Sequence, residues 1–477
     1  MSFSLREVSF KPLGFRFTSG IIIRREISIG GIFVNSKNLI VSKFGGSITS
    51  SADSVKRAAE IIRANPSRRY VIASAPGTSP NETGITDILF MCHSSQKSED
   101  RREMLAKISE RYRKIIDGLG MKFDIDAEIN ALNDDLDAGK GLDYIGSRGE
   151  YILGKILAEF LRWPFVDAEG IIFFNDDGTL DEEKTFRTAG SILRTLNHAV
   201  IPGFYGSMPN GSVKTFGRGD GDSSGAIVAR AVKADLFEKW SETVKIYGAD
   251  PAIIPEAELV RNITYDEAVE LNYVGLNIIR DSVIFMMKDA GIPIRVSSLK
   301  DYEGTLITAH LHEKDHRSVS ACIAGRRKFN VLHIEKYGLN KMHGFGEKLF
   351  GTFAKHGVAC EHCLSGIYKM SIVIKTPLFD IRRAEVLDDV RREIEPDSMT
   401  VEGGLSLIAI VGEGVSDAGK GMFEKVFVAL SRAGIKVRMV DQGSDSLNII
   451  LGVDDFDYES AVKALYGAMI KNKEAVV

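Results

Sequence analysis

The sequence is poor in cysteine, and its few thiols are widely spread. Cys92, Cys322, Cys360 and Cys363 are too few for a disulfide framework in a chain of 477 residues, so a reducing compartment fits. Cys360 and Cys363, together with His362, could supply half of a zinc site. A structural zinc needs four ligands, and no second pair lies at a fitting spacing, so we expect structural thiols.

The chain also lacks a strong charge imbalance and a long apolar run. With 26% charged residues and a formal net charge of −4, the composition gives no support to nucleic-acid binding. No run approaches the roughly 18 to 20 apolar residues of a membrane helix, and nothing resembles a secretory signal peptide. We therefore expect a cytoplasmic protein with no membrane partner.

The first 37 residues are rich in Ser and Arg, poor in acids, and precede the first strong motif. They could be an organelle-targeting leader, a start placed too far upstream, or an added strand and loop. We favour one of the last two interpretations, so organelle targeting is only weakly supported.

What the chain does contain is a long alternation of apolar strands, glycine-containing loops and amphipathic helices. It runs from Asn38 to about residue 310 and predicts βα units on a largely parallel sheet. Strands are predicted at residues 39–41, 70–73, 199–201 and 292–296, and a helix at 51–63. The charged segment 98–137 is predicted to be a helical excursion near the rim of the site.

Beyond about residue 320 the pattern changes to shorter units. Strands are predicted at 329–335 and 370–374 around a helix at 344–356, and a similar order recurs at 405–411, 421–433, 436–439 and 447–453. This repetition predicts two ferredoxin-like modules, joined by the polar stretch 395–404. The organisation is then an extension at 1–37, a large α/β domain at 38–312, and modules at 320–400 and 401–477 that could interleave.

The strongest local motif is Val-Ser-Lys-Phe-Gly-Gly-Ser at residues 41–47, where a strand runs into a glycine pair before a helix. Glycines let the backbone approach phosphate oxygens, and amides near a helix start bind anions. Lys43 would add a fixed positive charge. The motif matches neither the P-loop spacing nor the dinucleotide fingerprint, and such a turn could merely connect two elements.

A second glycine-rich loop, at residues 215–226, opens another helix and contains both acids and Arg218. Arg218 could clamp a carboxylate through two hydrogen bonds, and Asp222 could orient a lysine or a metal. The alternative is a Gly/Asp turn with an aspartate that caps the helix.

Several motifs in order carry a family resemblance. Residues 43–47, Ser-Arg-Gly-Glu at 147–150, Ile-Pro-Gly-Phe at 201–204, residues 215–222 and residues 265–271 look like the motif series of aspartate kinases in the amino-acid kinase superfamily. The resemblance covers about residues 39–475. It implies a three-layer αβα sandwich with a mostly parallel sheet, followed by two ferredoxin-like (βαββαβ) ACT modules.

The resemblance implies phosphorylation of the aspartate side chain by ATP, the first step of lysine, threonine and methionine biosynthesis. Lys43 would bridge the transferring phosphoryl group, and Asp222 would orient the active-site lysine. Glu150 would hold the substrate ammonium and Arg218 its α-carboxylate; the other implied substrate contacts are Ser47 and Thr86. The aspartate carboxylate is already ionised at neutral pH, so no general base is expected.

On the nucleotide side the resemblance implies amide contacts from Gly45 and Gly46, and contacts from Ser241, Glu242, Tyr247 and Asn277. Magnesium would arrive with ATP, with no metal ligand expected from the protein. Asn277 stands where the family has a nucleotide-contacting lysine. The chain could therefore be a kinase with reduced activity, a kinase with another nucleotide preference, or a kinase whose nucleotide site uses other contacts such as Arg280. It could also be a regulatory homologue without catalytic activity. A kinase for another substrate, such as glutamate or a nucleoside monophosphate, is a further alternative.

The segment 329–373 resembles the first ACT module of lysine- or threonine-sensitive aspartate kinases. Met342, Ala359, Cys360 and Glu361 fall at its effector-binding positions, and Glu361 is suited to an ammonium group. In that family the modules interleave and pair between subunits, which implies a homodimer or a larger assembly. The alternative is a module that only dimerises.

Overall fold

The structure, a computed structural model, describes residues 38–78, 82–95, 97–217, 220–242, 245–311, 322–412, 415, 422–442 and 447–471. The N-terminal extension and Arg218 lie outside the described residues. Among the helices that are described, none combines the length and the apolar character that crossing a membrane requires.

The four strands predicted in the large domain are present, and they join three further strands in one sheet. In chain order the strands of this domain are β1 (Ile40–Phe44), β2 (Arg68–Ala73), β3 (Ala199–Pro202), β4 (Tyr205–Ser207), β5 (Val213–Thr215), β6 (Leu236–Trp240), β7 (Asn262–Thr264), β8 (Ile294–Ser297) and β9 (Thr305–Thr308). The sheet order is β3-β2-β1-β6-β8-β9-β7, while β4 and β5 form a hairpin. The β8–β9 pair is antiparallel and the other neighbours are parallel.

Helices cover both faces of this sheet. They are α1 (Ala52–Ala64), α2 (Ile85–Ser94), α3 (Ser98–Leu119), α4 (Ile125–Asp137), α5 (Leu142–Leu161), α6 (Glu182–Leu193), α7 (Gly221–Val232), α8 (Tyr265–Tyr273) and α9 (Asp281–Ala290). Alternate residues of β2 belong to two separate cores: Val71 packs with α1–α5, whereas Tyr70 and Ile72 pack with α6–α9. The predicted three-layer αβα fold is confirmed.

The C-terminal modules share one antiparallel sheet. Their elements are β10 (Cys322–Glu335), α10 (Phe345–Lys355), β11 (Cys360–Ser365), β12 (Lys369–Lys375), α11 (Thr376–Ile394), β13 (Ser398–Val411), α12 (Met422–Arg432), β14 (Val437–Asp441), β15 (Asn448–Asp454) and α13 (Tyr458–Tyr466). The strand order is β11-β12-β10-β13-β15-β14. Two cores lie against it, one for each module.

The long strands β10 and β13 serve both modules. Residues 322–326 of β10 pair with 407–411 of β13, whereas residues 329–335 pair with β12 on one side and with the start of β13 on the other. Lys328, at the break between the two parts, has a φ of +70°. The start of β10 thus extends the sheet of the second module, although it precedes the first module in the chain.

Two secondary-structure predictions for these modules were wrong. The polar stretch 395–404 was expected to be a connector, but from Ser398 it is the first half of β13. Its side chains are mostly exposed, because β15 pairs only with the later half of this strand. β10 begins at Cys322, seven residues before the strand predicted at residue 329.

Candidate active site

Two lysines on neighbouring central strands face one aspartate at the start of α7. Lys43 of β1 and Lys239 of β6 are direct register partners, so their side chains point to the same face of the sheet. Lys43 Nζ lies 2.8 Å from Asp222 Oδ1, and Lys239 Nζ lies 2.8 Å from Asp222 Oδ2. All three residues are buried. One carboxylate therefore fixes the positions of two ammonium groups.

The electrostatics of this cluster favour its charged form. Burial alone would raise the pKa of Asp222, but the charges of Lys43 and Lys239 and their hydrogen bonds outweigh burial and hold the pKa well below its usual range. The cluster then carries two positive charges and one negative charge. Its net positive charge suits a site for phosphate oxygens.

The glycine pair after β1 is packed too closely for side chains. The amide of Gly45 donates to Trp240 O at 3.0 Å, and the amide of Gly77 donates to Gly46 O at 2.9 Å. A Cβ on Gly46 would lie 2.9 Å from Ala75 O and 3.0 Å from Gly77. These contacts hold the loop beside Lys43 in one position, as an anion-binding loop requires.

Glu150 lies on α5 and is fully buried, and its Oε2 has no hydrogen-bond partner among the described residues. Burial raises the pKa of this carboxyl to about 7, against the lowering effect of backbone hydrogen bonds and of the Lys43 and Arg148 charges. A buried acceptor without a partner is costly unless a ligand satisfies it. Glu150 is therefore suited to receive a cationic group such as an ammonium.

The neighbouring Arg148 has its partners within the protein. Its guanidinium donates to Ser147 Oγ at 2.9 Å and to Glu169 at 3.1 Å, and it lies 4.2 Å from the ring centroid of Tyr144 and 4.4 Å from that of Tyr151. We infer that Arg148 braces the helix turn that carries Glu150.

Fewer contacts define the positions of Thr86 and Ser47, the other implied substrate residues. Thr86 lies in the first turn of α2, and the adjacent Ile85 Cγ2 would be 3.3 Å from a Cβ on Gly149. The start of α2 thus packs against the turn of α5 that holds Glu150. Ser47 Oγ accepts the amide of Glu242 at 3.3 Å.

The residues predicted on the nucleotide side do not all share one cavity. Asn277 lines a cavity of about 580 Å³ together with Asp222, Lys239 and Arg280. Tyr247 instead lines a separate cavity of about 230 Å³, next to Gly275 and Leu276 and beside the second ACT module. Val274, Gly275 and Leu276 line the smaller cavity, and Asn277 lines the larger one.

Ser241 and Glu242 are engaged in holding the chain after β6. The amide of Ser241 donates to Ser297 O at 2.9 Å, and Glu242 Oε1 accepts the amide of Leu299 at 2.6 Å. Glu242 thus ties two strand ends together in this structure.

The sequence motifs did not identify Lys239 as a site residue, and they indicated Arg280 only as an alternative contact. Lys239 donates to Ile278 O at 2.7 Å in addition to its pair with Asp222. Arg280 Nε lies 3.3 Å from Asp220 Oδ2. The signal for Lys239 was a lysine within the otherwise largely apolar strand Leu-Phe-Glu-Lys-Trp, which is unusual for a central strand.

The four residues at the implied effector positions split into two environments. Met342 and Cys360 pack against the core of the first ACT module, and Ala359 is exposed. Glu361 lines the 580 Å³ cavity instead, where its carboxylate lies 2.9 Å from Lys375 Nζ. The implied effector site therefore borders the cavity that contains Lys239.

A short series of hydrogen bonds connects β11, the strand that carries Glu361, to the large domain. The hydroxyl of Tyr273, on α8, donates to Glu361 O at 2.6 Å and lies 3.2 Å from His362 Nε2. His362 Nδ1 lies 2.7 Å from Asp441 Oδ2 on β14. In the part of the chain that the structure describes, no three His, Cys, Asp or Glu side chains are grouped as a metal site.

Comparison with known proteins places these features in a family. The amino acid kinase family matches residues 38–298, and an ACT domain family matches residues 408–469. The aspartate kinase of Clostridium acetobutylicum, which has a crystal structure, is 36% identical to this chain in sequence. The two structures align with a TM-score of 0.83, and the alignment covers 91% of this chain and 100% of that chain. Aspartokinase 3 of Bacillus subtilis is 28% identical over 448 residues, which are 89% of this chain and 97% of the relative. The lysine-sensitive aspartokinase 3 of Escherichia coli is 25% identical over 468 residues, 91% of this chain and 99% of the relative.

Proposed function

The chain belongs to the aspartate kinases of the amino acid kinase family, with C-terminal ACT modules, and we propose that its reaction takes place at the Lys43–Asp222–Lys239 cluster. The enzyme converts ATP and L-aspartate to ADP and 4-phospho-L-aspartate, and an amino acid regulates it through the ACT modules. The observation that carries the proposed location is the pair of buried ammonium groups held 2.8 Å from the two oxygens of one carboxylate.

Phosphoryl transfer requires that the two substrates be positioned for attack and that the charge on the phosphoryl oxygens be neutralised. The aspartate side-chain carboxylate attacks the γ-phosphorus of ATP, and the bond from that phosphorus to the β–γ bridging oxygen breaks. The electron pair leaves on the β-phosphate of ADP, and no proton has to be moved. Negative charge spreads over the phosphoryl oxygens during this transfer, so Lys43 and the amide of Gly46 are well suited to stabilise it. The amide of Gly45 donates to Trp240 O in this structure, so its proposed contact with the nucleotide requires that hydrogen bond to be exchanged.

Glu150 is proposed to bind the ammonium group of aspartate. Its buried Oε2, which lacks a partner among the described residues, supports this role, because an ammonium would satisfy it and favour the ionised carboxylate. Ser47 and Thr86 are proposed as further substrate contacts. Arg218 is proposed to hold the α-carboxylate and lies outside the described residues.

The nucleotide contacts of Ser241, Glu242, Tyr247 and Asn277 stay predictions. Asn277 lines the cavity of the lysine cluster, whereas Tyr247 lines the neighbouring one. We propose that magnesium enters with ATP, bound mainly by phosphate oxygens and water, as is usual for this ion in kinase sites.

We propose lysine or threonine as the effector. The sensitivity to lysine named for the Escherichia coli relative supports lysine, and the carboxylate of Glu361 could receive its ammonium. Met342, Ala359 and Cys360 are proposed to complete the effector site. The homodimeric assembly and the cytoplasmic location stay predictions.

The test is to trap the acyl phosphate as a hydroxamate, with purified protein, aspartate and MgATP. We expect hydroxamate that depends on both substrates and no hydroxamate when glutamate replaces aspartate. A nucleoside monophosphate would yield a diphosphate that hydroxylamine does not trap, so that alternative is tested by ADP release, which we expect to be absent when a nucleoside monophosphate replaces aspartate. The specific alternative, a regulatory homologue without activity, rests on Asn277, which replaces the expected lysine. It would be supported by protein that binds lysine or threonine but forms no hydroxamate.

A further inference from the structure

Position 277 carries no cation, although the family resemblance leads us to expect a nucleotide-contacting lysine there. Asn277 is exposed at the 580 Å³ cavity, and its backbone has a φ of +47°. An asparagine tolerates this left-handed conformation better than most residues. Its neutral amide can donate hydrogen bonds but cannot balance the charge of a polyphosphate.

We propose that Lys239 supplies this missing cation from the adjacent strand β6, and that it contacts the phosphates of the bound nucleotide. This inference rests on the proposed function of the site. The Lys239 ammonium donates to the backbone oxygen of Ile278, the residue next to Asn277, at 2.7 Å. Its charge therefore lies directly beside position 277, although its backbone lies on another element.

The protein holds the Lys239 ammonium in place from two directions. Asp222 Oδ2 lies 2.8 Å away on one side, and Ile278 O lies 2.7 Å away on the other. An ammonium has three donors, so these two contacts leave one hydrogen for a ligand. Lys239 and Asn277 line the same cavity, which gives that ligand a place to bind.

The loop that accepts the hydrogen bond from Lys239 is itself fixed. Asn272 Oδ1 accepts the amide of Ile278 at 2.7 Å, and its Nδ2 donates to Ile279 O at 2.5 Å and to Asp281 at 2.8 Å. Because the loop is braced, Ile278 O is a rigid acceptor. Lys239 is thereby prepositioned before the nucleotide binds.

The shared aspartate gives the two lysines separate tasks. Lys43 lies beside the glycine pair, where a Cβ on Gly45 would be 3.6 Å from its Nζ, whereas Lys239 lies toward Asn277 and Arg280. We assign Lys43 to the transferring phosphoryl group and Lys239 to the β-phosphate. As the bond to the bridging oxygen breaks, negative charge grows on that leaving phosphate, so a fixed cation there accelerates transfer.

The experiment compares the wild-type enzyme with Lys239→Met and Lys239→Gln in the hydroxamate assay. Gln keeps hydrogen-bond donors for Asp222 and Ile278 but loses the charge, so it covers the case in which Met does not fold. We expect both to lower kcat/KM for ATP by about 100-fold or more, with the KM for aspartate within about threefold of wild type. Lys288→Met, which removes a surface cation from α9, is the control and should change neither constant.

A second pair of variants tests whether position 277 and Lys239 perform the same task. Asn277→Lys in the Lys239→Met background should restore kcat/KM for ATP by at least about tenfold, since it returns a cation to the same place. Asn277→Met in that background adds length without charge and should restore nothing. Equal rescue by Met and Lys, or a Lys239→Gln enzyme as active as wild type, would overturn the inference.

Calorimetric titration with ADP separates this inference from the proposed function. A wild-type protein that forms no hydroxamate would refute the proposed reaction. If that protein binds ADP and Lys239→Gln weakens the binding at least about tenfold, Lys239 still contacts the nucleotide. Unchanged ADP affinity in a folded Lys239→Gln protein, or wild-type protein that binds no ADP, refutes the role of Lys239.

Discussion

Two carboxylate-centred networks, about Asp222 and about Asp441, differ in how they are built. The Asp222 network lies within the large domain and is buried, and both ammonium groups lie within hydrogen-bond distance of the Asp222 carboxylate. The Asp441 network is a chain in which Asp441 contacts His362, and His362 contacts Tyr273 of α8. It spans both ACT modules and the large domain, and Asp441 and Tyr273 are partly exposed.

The burial of each network determines what it is suited to do. Moving one charge of a buried, mutually satisfied cluster leaves the others uncompensated, so such a cluster keeps one geometry. A partly exposed chain of neutral and charged hydrogen bonds can open at low cost. We therefore interpret the Asp222 network as fixed catalytic machinery and the Asp441 network as an adjustable connection to the sensing modules.

The largest effect is expected when the fixed network loses a catalytic charge. Lys43→Ala should lower kcat by at least about 1,000-fold, because the transferring phosphoryl group loses its cation while Asp222 keeps Lys239. Circular dichroism should show an unchanged fold. Activity within tenfold of wild type would contradict the role of Lys43 and would remove the main contrast between the networks.

The next effect concerns Glu150 and depends on pH. Glu150→Gln should raise the KM for aspartate about 100-fold at pH 8, because a neutral amide holds an ammonium weakly, and should change the affinity for ADP little. In the wild type, the KM for aspartate should rise as the pH falls below about 7, where the carboxyl becomes protonated. The variant should lack this dependence, and a KM that keeps it would assign the titration to another group.

The same variant should be more stable than the wild type in the absence of substrate. The pKa of Glu150 is raised from 4.5 to about 7 in the folded protein, so the folded state holds the proton more tightly than the unfolded state does. The side chain therefore costs stability progressively as the pH rises through this interval, by up to about 3 kcal/mol. Thermal unfolding should show a higher Tm for Glu150→Gln at pH 8 and no difference at pH 4.

Local sequence patterns and the order of the motifs predicted the elements and loops that depend on residues close together in the chain. The apolar strands at 70–73 and 199–201 and the helix at 51–63 lie within two residues of their predicted bounds. The glycine loop of Lys43 and the helix start at Asp222 were recognised from contiguous residues. The aspartate kinase assignment and the ACT modules are confirmed by the family comparisons.

The parts that were missed depend on pairing between distant segments. Lys239 lies beside Lys43 because β1 and β6 are neighbours in register, and no local pattern predicts that pairing. The polar half of β13 looked like a connector because its side chains face solvent, and only its partner β10 makes it a strand. Glu361 and Cys360 are adjacent in sequence, yet they lie in different environments, because the register of β11 with β12 shifts between Cys360 and His362, and the sequence did not predict this irregularity.

A smaller effect is expected at the adjustable network. Tyr273→Phe removes the hydroxyl that contacts Glu361 O and His362, and should lower stability by about 1 kcal/mol and kcat by less than about threefold. Tyr337→Phe is the matched control, because Tyr337 is 92% exposed, and should leave Tm unchanged. A loss of activity above 100-fold in Tyr273→Phe would place this chain among the fixed machinery and break the comparison.

The smallest effect on the fold, and the sharpest test of the sensing side, is expected for Lys375. Its ion pair with Glu361 is half exposed on the lysine side, so Lys375→Met should change stability by less than about 1 kcal/mol. Lys369→Met removes a comparable pair, with Glu335, from the same strand and serves as the control.

If Glu361 receives the ammonium of an effector, Lys375 competes for the same carboxylate. Lysine should then bind Lys375→Met more tightly than the wild type or the control in calorimetric titration, and Glu361→Gln should bind it more weakly. Equal lysine affinity in all four proteins would show that Glu361 only anchors Lys375, and the adjustable network would then need a different effector contact.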